Sequence, residues 1–332
     1  MNSVASVIES KQENNITAET LHGRYPFSPF PRGWYVIGKS ISLKKGCVKT
    51  FHYFNQDIVI FRGQSGKLGA VDPHCPHLGA HLGIGGTVKN DRLICPFHQW
   101  EFNSDGFCQH IPYATRIPKK AKAKHWPIAE ASGLLFIYYG VDGELPPNNL
   151  PLPGELEGLS WSKVSVSAPK KIKTHLQELA ENSFDLGHFS GLHGMGYPEI
   201  KINAITKDSI QLTQKMDYHQ FGLNFRYKTE LEQVGANNVI NRVQWEKIEF
   251  IVMLCNTPID NEHIHVRSLV SVKTPKNSLA RWAIKQFVLW YVNKELKKDT
   301  PIWENKRYYK KPLLCHADGP IYTLRNWITQ FY

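Results

Sequence analysis

Between Trp34 and about Tyr139, apolar residues fall in short runs: WYVIG, TFHYF, DIVIFR, LGAVD, RLICP and LLFIYY. Each run is rich in β-branched and aromatic residues, and Gly, Asn or Asp separates it from the next. Such runs predict short strands joined by tight turns, and hence a small all-β barrel or sandwich. Asn55-Gln56-Asp57 and Asn103-Ser104-Asp105-Gly106 are the candidate hairpin turns. Ahead of this region, residues 1–24 are polar and read as a loose arm or a short helix. Tyr25 to Pro31, YPFSPFP, holds three prolines and three aromatics and predicts an extended segment lying across a surface.

The pattern breaks over residues 140–160, where Pro146, Pro147, Pro151 and Pro153 interrupt any periodicity. This predicts a linker, with the chain dividing near residue 150 into a unit over 25–145, a linker over 146–160 and a unit over 161–332. In the second unit a rough helical stripe (Leu176, Leu179, Ala180, Phe184, Leu186) predicts one helix over about 174–190. Alternating stretches from about residue 201 to residue 273 predict an antiparallel sheet with one face buried. A second helix is expected over Ser278–Lys297, with apolar positions dense enough for burial, an apolar ligand or a membrane surface. The fold class is therefore α+β.

Composition narrows the class without choosing a function. The chain has 332 residues, 42% apolar and 21% charged, which excludes disordered, collagenous and disulfide-stapled chains. Forty Lys and Arg against twenty-nine Asp and Glu give a net charge of +11. This is compatible with an anionic membrane, an acidic protein or nucleic acid, but no nucleic-acid-binding motif accompanies the charge, and none of those partners is expected to be nucleic acid. One basic run, Lys119 to His125, stands out. The first fifteen residues lack a basic region followed by an apolar core, so no signal peptide is expected. No uncharged apolar stretch is long enough to span a bilayer. A cytoplasmic protein is expected, with peripheral membrane attachment left open.

The chemistry lies in histidines and cysteines. Cys75 and His77 are separated by one residue, Cys95 and His98 by two, and seventeen residues lie between the pairs. Two thiolates and two imidazoles fit zinc or a two-iron, two-sulfur cluster. Each loop supplies one Cys and one His, which suits a cluster with two thiolates on one iron and two imidazoles on the other. Neutral imidazole replaces anionic thiolate, which raises the potential. Cys108 has no histidine at matching spacing and is expected in the core; His74 and His81 are surplus to the pattern. Downstream, ELAENSFDLGHFSGLHG places His188 and His193 five apart, with Asp185 three residues before His188, on one face if the helix is continuous. Two such histidines alone are as consistent with a core or surface role as with a metal.

The loops CPHLGAHLG and CPFHQWEF resemble those of Rieske proteins, and both halves together resemble the catalytic α subunits of Rieske non-haem iron oxygenases. The segments ENSFDLGHFSGLHG and PIWENKRYYKKPLLCHADGPIYTLRNWITQFY are similar to one branch, the 3-ketosteroid 9α-hydroxylase oxygenases and Neverland-type cholesterol 7-desaturases. The resemblance implies an N-terminal Rieske domain and a C-terminal helix-grip-like antiparallel sheet domain. It implies a cluster on Cys75, His77, Cys95 and His98, and mononuclear Fe(II) on His188, His193 and a distant carboxylate. Asp299, just after the expected long helix, is the best match for that carboxylate, with Glu304 a rival. Asp185 matches the aspartate that links a cluster histidine of one subunit to an iron histidine of the next, which implies a homotrimer; Glu181 or Asn182 would assist it. Electrons would come ultimately from NAD(P)H through a separate reductase, with or without a ferredoxin, and positive charge at residues 119–125 would favour an acidic donor. The implied reaction is O2-dependent hydroxylation or desaturation of an apolar steroid or sterol. An aromatic or secondary-metabolite substrate is the alternative, and a non-catalytic electron carrier a further one. Phe184, Phe189, Leu192, Met195, Phe287, Trp290 and Tyr291 are the candidates for the substrate lining.

Overall fold

A computed structural model describes residues 24–141, 144–220 and 223–332, with side chains described outside 217–227. The expected arm, residues 1–24, lies outside the described residues except for Arg24.

The N-terminal half is built from three small antiparallel sheets. Strand β1 (Gly33–Lys39) pairs with β10 (Leu134–Tyr139), which pairs with β9 (Ile128–Ala131). Strands β2 (Val48–Tyr53), β3 (Gln56–Arg62) and β4 (Leu68–Val71) form a second sheet. The third contains β5 (Thr87–Lys89), β6 (Arg92–Ile94), β7 (Glu101–Phe102) and β8 (Cys108–His110), and carries the two Cys–His loops at its ends.

Both expected hairpin turns form, one of them displaced. Tyr53 pairs with Gln56, so the two-residue turn is Phe54-Asn55, one position earlier than the polar residues suggest. Both residues have positive φ, as a twisted two-residue hairpin requires. Phe54 is tolerated there because its ring is buried against Tyr35, Tyr139 and Trp126. At Asn103–Gly106 the Asn103 side chain accepts from the N–H groups of Asp105 and Phe107. Gly106 is left-handed there, and a Cβ on it would lie 2.2 Å from the Ala123 carbonyl.

The C-terminal half is an eight-stranded antiparallel sheet. Its order is β11 (Ser165–Val166), β18 (His263–Val272), β17 (Ile248–Pro258), β16 (Asn238–Trp245), β15 (Leu223–Val234), β14 (Ser209–Gln220) and β13 (Glu199–Ile205), with β12 (Lys170–Lys173) also on β18. The helices differ from the sequence expectation in two ways. The single helix over 174–190 is two, α1 (Leu176–Asn182) and α2 (Leu186–Gly191), because Asp185 leaves helical geometry and caps α2. The long helix α3 (Ser278–Asn305) runs eight residues past Lys297, continuing through Pro301. Proline removes one backbone donor, and two polar groups support the turn beside it: Thr300 Oγ1 and Lys170 Nζ both donate to the Leu296 carbonyl. A short helix, α4 (Ile321–Ile328), closes the chain.

The two halves share a buried cluster. Tyr35, Ile37, Tyr53, Ile58 and Ile137 pack in the same buried cluster as Ile172, Leu176, Ile264, Leu296 and Trp303. The proline-rich crossing is packed as well: the Trp34 indole donates to the Pro147 carbonyl at 3.0 Å, and Leu150, Leu152 and Leu156 cover the adjoining cluster. Tyr25 and Phe27 of the extended segment lie against His175 and Tyr308. No helix among the described residues is long and apolar enough to cross a membrane.

Candidate metal centres and substrate cavity

The first centre is made by two loops with the same backbone plan. The Cys75 N–H donates to the Ala80 carbonyl, and the Gly79 N–H donates back to the Cys75 carbonyl. One loop later Cys95 does the same with Trp100 and Gln99. Gly79 and Gln99 occupy equivalent positions, and both have positive φ. Glycine adopts that conformation freely; glutamine does so at a cost of about 1 kcal/mol. The loops bring Cys75, His77, Cys95 and His98 together. Both cysteines are buried, and the two imidazoles are half-buried on the solvent side, with ring centroids 4.6 Å apart. His77 also stacks on Trp100, whose indole donates to the Tyr113 hydroxyl.

The donor set fits an iron–sulfur group. The buried Nδ1 of His77 has no hydrogen-bond partner, so a potential ligand atom is left free. Burial pushes the Cys75 thiol up to about 12; the neighbouring Cys95 thiol adds to this, against a hydrogen bond from the His77 backbone. Two thiols facing each other in an apolar setting ionise when a cation joins them. Cys108 packs in the same apolar cluster, and its thiol is directed to the His110 carbonyl. His74 and His81 pair with each other by a backbone bridge.

The second centre lies between α1–α2 and α3. His188, His193 and Asp299 each present a ligand atom, and these atoms lie within 4.8 Å of one another. Asp299 is buried inside α3 and not just after the long helix, where the sequence put it; its Oδ1 is 3.3 Å from His193 Nε2. Glu304 is exposed and faces the backbone of β12 instead. The helix break also revises the place of Asp185. It shares no continuous helix face with His188; its carboxylate accepts from the His188 N–H as an N-cap, while its carbonyl accepts from His188 Nδ1 at 2.6 Å. His193 Nδ1 donates to the Glu295 carboxylate at 2.6 Å. Both histidines are thereby held as the tautomer with Nε2 free, the usual support for a metal-binding imidazole. Burial holds the His188 imidazole below its ordinary range, against the pull of Asp185. Burial also opposes charge on His193, but Asp299 and Glu295 outweigh it and raise that group. Two imidazoles and one carboxylate fit an oxygen- and nitrogen-ligated iron with open positions.

Glu295 went unrecognised in the sequence, although it lies four residues before Asp299 and so on the same side of α3. Of the two residues considered beside Asp185, Glu181 points away, held by two 2.8 Å hydrogen bonds from Arg325. Asn182 faces the centre, with its amide 3.5 Å from Asp299 Oδ1.

A cavity of about 420 Å³ opens onto these three groups. One wall is the face of the large sheet, where Leu231, Val243, Phe250 and Val252 alternate with outward residues; the other wall is α3. Phe189, Met195, Phe287 and Tyr291 line it as expected. Phe184 is instead fully buried in the core beside α4, while Leu192 and Trp290 lie off the cavity. Gln214, Thr229 and Asn241 are the polar residues on the sheet wall, which the strand pattern alone did not distinguish from structural positions.

Comparison with known proteins agrees with this arrangement. The Rieske [2Fe-2S] domain family matches residues 33–122, and the 3-ketosteroid 9alpha-hydroxylase C-terminal domain family matches residues 137–332. A probable 3-ketosteroid-9-alpha-monooxygenase oxygenase component of Rhodococcus rhodochrous is 29% identical, over 92% of this chain and 81% of the relative. The cholesterol 7-desaturase of Drosophila melanogaster is 31% identical, over 92% of this chain and 75% of the relative. Among solved structures, dicamba monooxygenase bound to dicamba superposes with a TM-score of 0.72 at 18% identity, covering 90% of this chain and 96% of that one, a likeness of fold. The chain is a Rieske oxygenase, an oxidoreductase of the family that carries the 3-ketosteroid 9α-hydroxylase C-terminal domain.

Proposed function

We propose that the protein is the oxygenase component of a system that hydroxylates or desaturates a steroid or sterol. In this reading residues 25–145 form the electron-accepting unit, 146–160 the crossing and 161–332 the catalytic unit. Cys75, His77, Cys95 and His98 would hold the two-iron cluster. His188, His193 and Asp299 would hold a mononuclear iron, which when bound supplies the dioxygen chemistry that hydroxylates or desaturates unactivated C–H bonds. Electrons would arrive from NAD(P)H through a separate reductase, with or without a ferredoxin. The observation that carries the reading is the mostly apolar cavity that His188, His193 and Asp299 help to line. Its volume is within the roughly 300–1,000 Å³ of small-molecule sites, and its wall suits a rigid hydrocarbon with few polar groups.

The chain's own residues have defined tasks. The sheet wall and α3 hold the substrate and keep bulk water from the reacting carbon. Glu295 and the Asp185 carbonyl fix the rings of His193 and His188. In this reading the half-buried Asp185 carboxylate would accept from a histidine across a subunit boundary of a homotrimer. The steroid assignment draws on the two relatives named above, since the same cavity walls suit other apolar compounds.

The test is an anaerobic single turnover. Reconstituted, dithionite-reduced protein receives cholesterol or a 3-ketosteroid and is then exposed to oxygen, with iron and sulfide counted beforehand. Product with one added oxygen indicates hydroxylation, and product lacking two hydrogens indicates desaturation. Loss of the reduced-cluster EPR signal without steroid product would remove the steroid and leave the oxygenase. Protein that retains only the two cluster irons would favour an electron carrier.

A further inference from the structure

The N-terminal half of α3 carries an apolar face that the protein does not cover. Leu279, Trp282, Phe287 and Trp290 are 71%, 57%, 50% and 56% exposed. At 3.6 residues per turn these four, with exposed Ala283 and Gln286, fall within an arc of about 140°. The opposite side of the helix packs on the sheet through Val288, Val292 and Ile284. The face is therefore outward by construction rather than a frayed end.

The charges along this part of the chain have one sign. Lys273 to Lys294 contains five basic residues and no acidic one; Arg281 and Lys285 lie on the other side of the helix and bind backbone carbonyls, which leaves Lys276 and Lys294 beside the face. Lys276 is exposed, Lys294 Nζ lies 5.5 Å from the Trp290 ring, and exposed Lys297 continues the same side of the helix. Glu295 is turned inward to His193 and Lys298, and Glu249 pairs with Lys273. Arg281 binds the Ser160 carbonyl, which holds the fully exposed Leu159 beside the start of the helix. Phe287 is the link to function, because it is half exposed and also lines the cavity.

We infer that this face docks on an anionic phospholipid surface. Tryptophan and phenylalanine facing outward with lysines at the flanks match an interfacial helix: the rings enter the headgroup boundary and the lysines meet lipid phosphates. Docking there sets Phe287, which lines the cavity, against the bilayer, where a lipophilic substrate is dissolved. Only this last step rests on the proposed function; the binding itself does not.

The experiment uses cofactor-loaded protein and sedimentation with two kinds of vesicle, phosphatidylcholine alone and phosphatidylcholine with phosphatidylserine. Wild type is expected on the anionic vesicles, less so as salt rises. Trp282→Gln with Trp290→Gln should weaken the partition by on the order of tenfold. Lys276→Glu with Lys294→Glu should abolish the preference for anionic lipid while leaving the cluster spectrum intact, which guards against misfolding of the tryptophan variant. Sedimentation velocity of each protein completes the set. No vesicle binding by wild type would overturn the inference. So would a change of oligomeric state in the tryptophan variant, which would make the face a contact between copies. Turnover is not read, so the outcome is independent of the substrate assignment.

Discussion

His175 shows how one buried imidazole supports the catalytic side of the molecule. Its Nδ1 accepts from the Gln177 N–H and caps α1, and its Nε2–H donates to the Ser28 carbonyl. The first bond needs the neutral ring, because a protonated Nδ1 cannot accept. Burial holds its pKa down at about 4, against the hydrogen bond to the Ser28 carbonyl, which favours the cation. The folded value lies below the unfolded value of about 6.5. Stability from this group is therefore present above about pH 6.5 and is lost as pH falls toward 4, by on the order of 3 kcal/mol. His175→Asn keeps a capping oxygen without the titration. Melting temperatures from pH 7 to pH 4 should fall less steeply in this variant than in wild type; parallel curves would assign the acid sensitivity elsewhere. Glu295 makes a second case at this scale. Glu295→Ala releases His193 Nδ1 and should weaken iron binding about 10- to 100-fold, measured by iron titration, with the visible spectrum of the cluster unchanged. Undiminished iron affinity would leave Glu295 a mere partner of Lys298. Neither residue stood out in the sequence, because a helix cap made by histidine and a carboxylate behind a ligand have no spacing of their own. The four-residue CxH and CxxH set and the His188–His193 pair did stand out, because chemistry dictates their types and the loops dictate their intervals.

At the scale of elements, strands were legible from alternation and helices from their stripe, while ends and breaks were not. The apolar stripe of Leu176, Leu179 and Ala180 passes on to Phe184 and Leu186 with no proline or glycine between. The interruption comes from the Asp185 side chain, which satisfies the His188 N–H and starts a new helix. At the other end, Pro301 argues for a stop near Lys297, yet α3 continues because Trp303 is buried in the shared core and outweighs one missing hydrogen bond. This explains why Asp299 lies inside the helix and not just after it. The Asp185 cap can be separated from its proposed role between subunits. Asparagine caps as well as aspartate, whereas alanine loses about 1 kcal/mol. Asp185→Asn should match wild type in stability within about 0.5 kcal/mol, and Asp185→Ala should not. Both should slow oxidation of the reduced cluster by oxygen in the presence of substrate, followed at the cluster absorbance. Unaltered oxidation in Asp185→Asn would reduce Asp185 to a cap.

The two matched families meet in one molecule whose halves keep apolar clusters of their own and also share buried clusters across the junction. The linker-like prolines of residues 140–160 suggested independent units, since sequence alone does not reveal that Leu150, Leu152 and Leu156 have a surface to cover. The junction also carries a buried cation. Arg267, 5% exposed on β18, donates to the carbonyls of Val36 and Ile37 on β1 and to the Tyr53 hydroxyl on β2. Thr257 on β17 donates to the same Val36 carbonyl at 2.7 Å. The fork of a guanidinium suits these several oxygens, and removing it leaves buried acceptors without donors, each at a cost of about 1–3 kcal/mol. A shared core and a shared polar junction imply that the halves unfold together. In wild-type holoprotein, the visible absorbance of the cluster and the far-ultraviolet dichroism of the sheet should be lost at one temperature. Arg267→Ala should lower that temperature and draw the two signals apart, because the apolar contacts alone would then join the halves. Two separate transitions already present in wild type would mean that the packing between β1 and β18 is too weak to couple them, and the electron-accepting unit would then be expected to fold by itself.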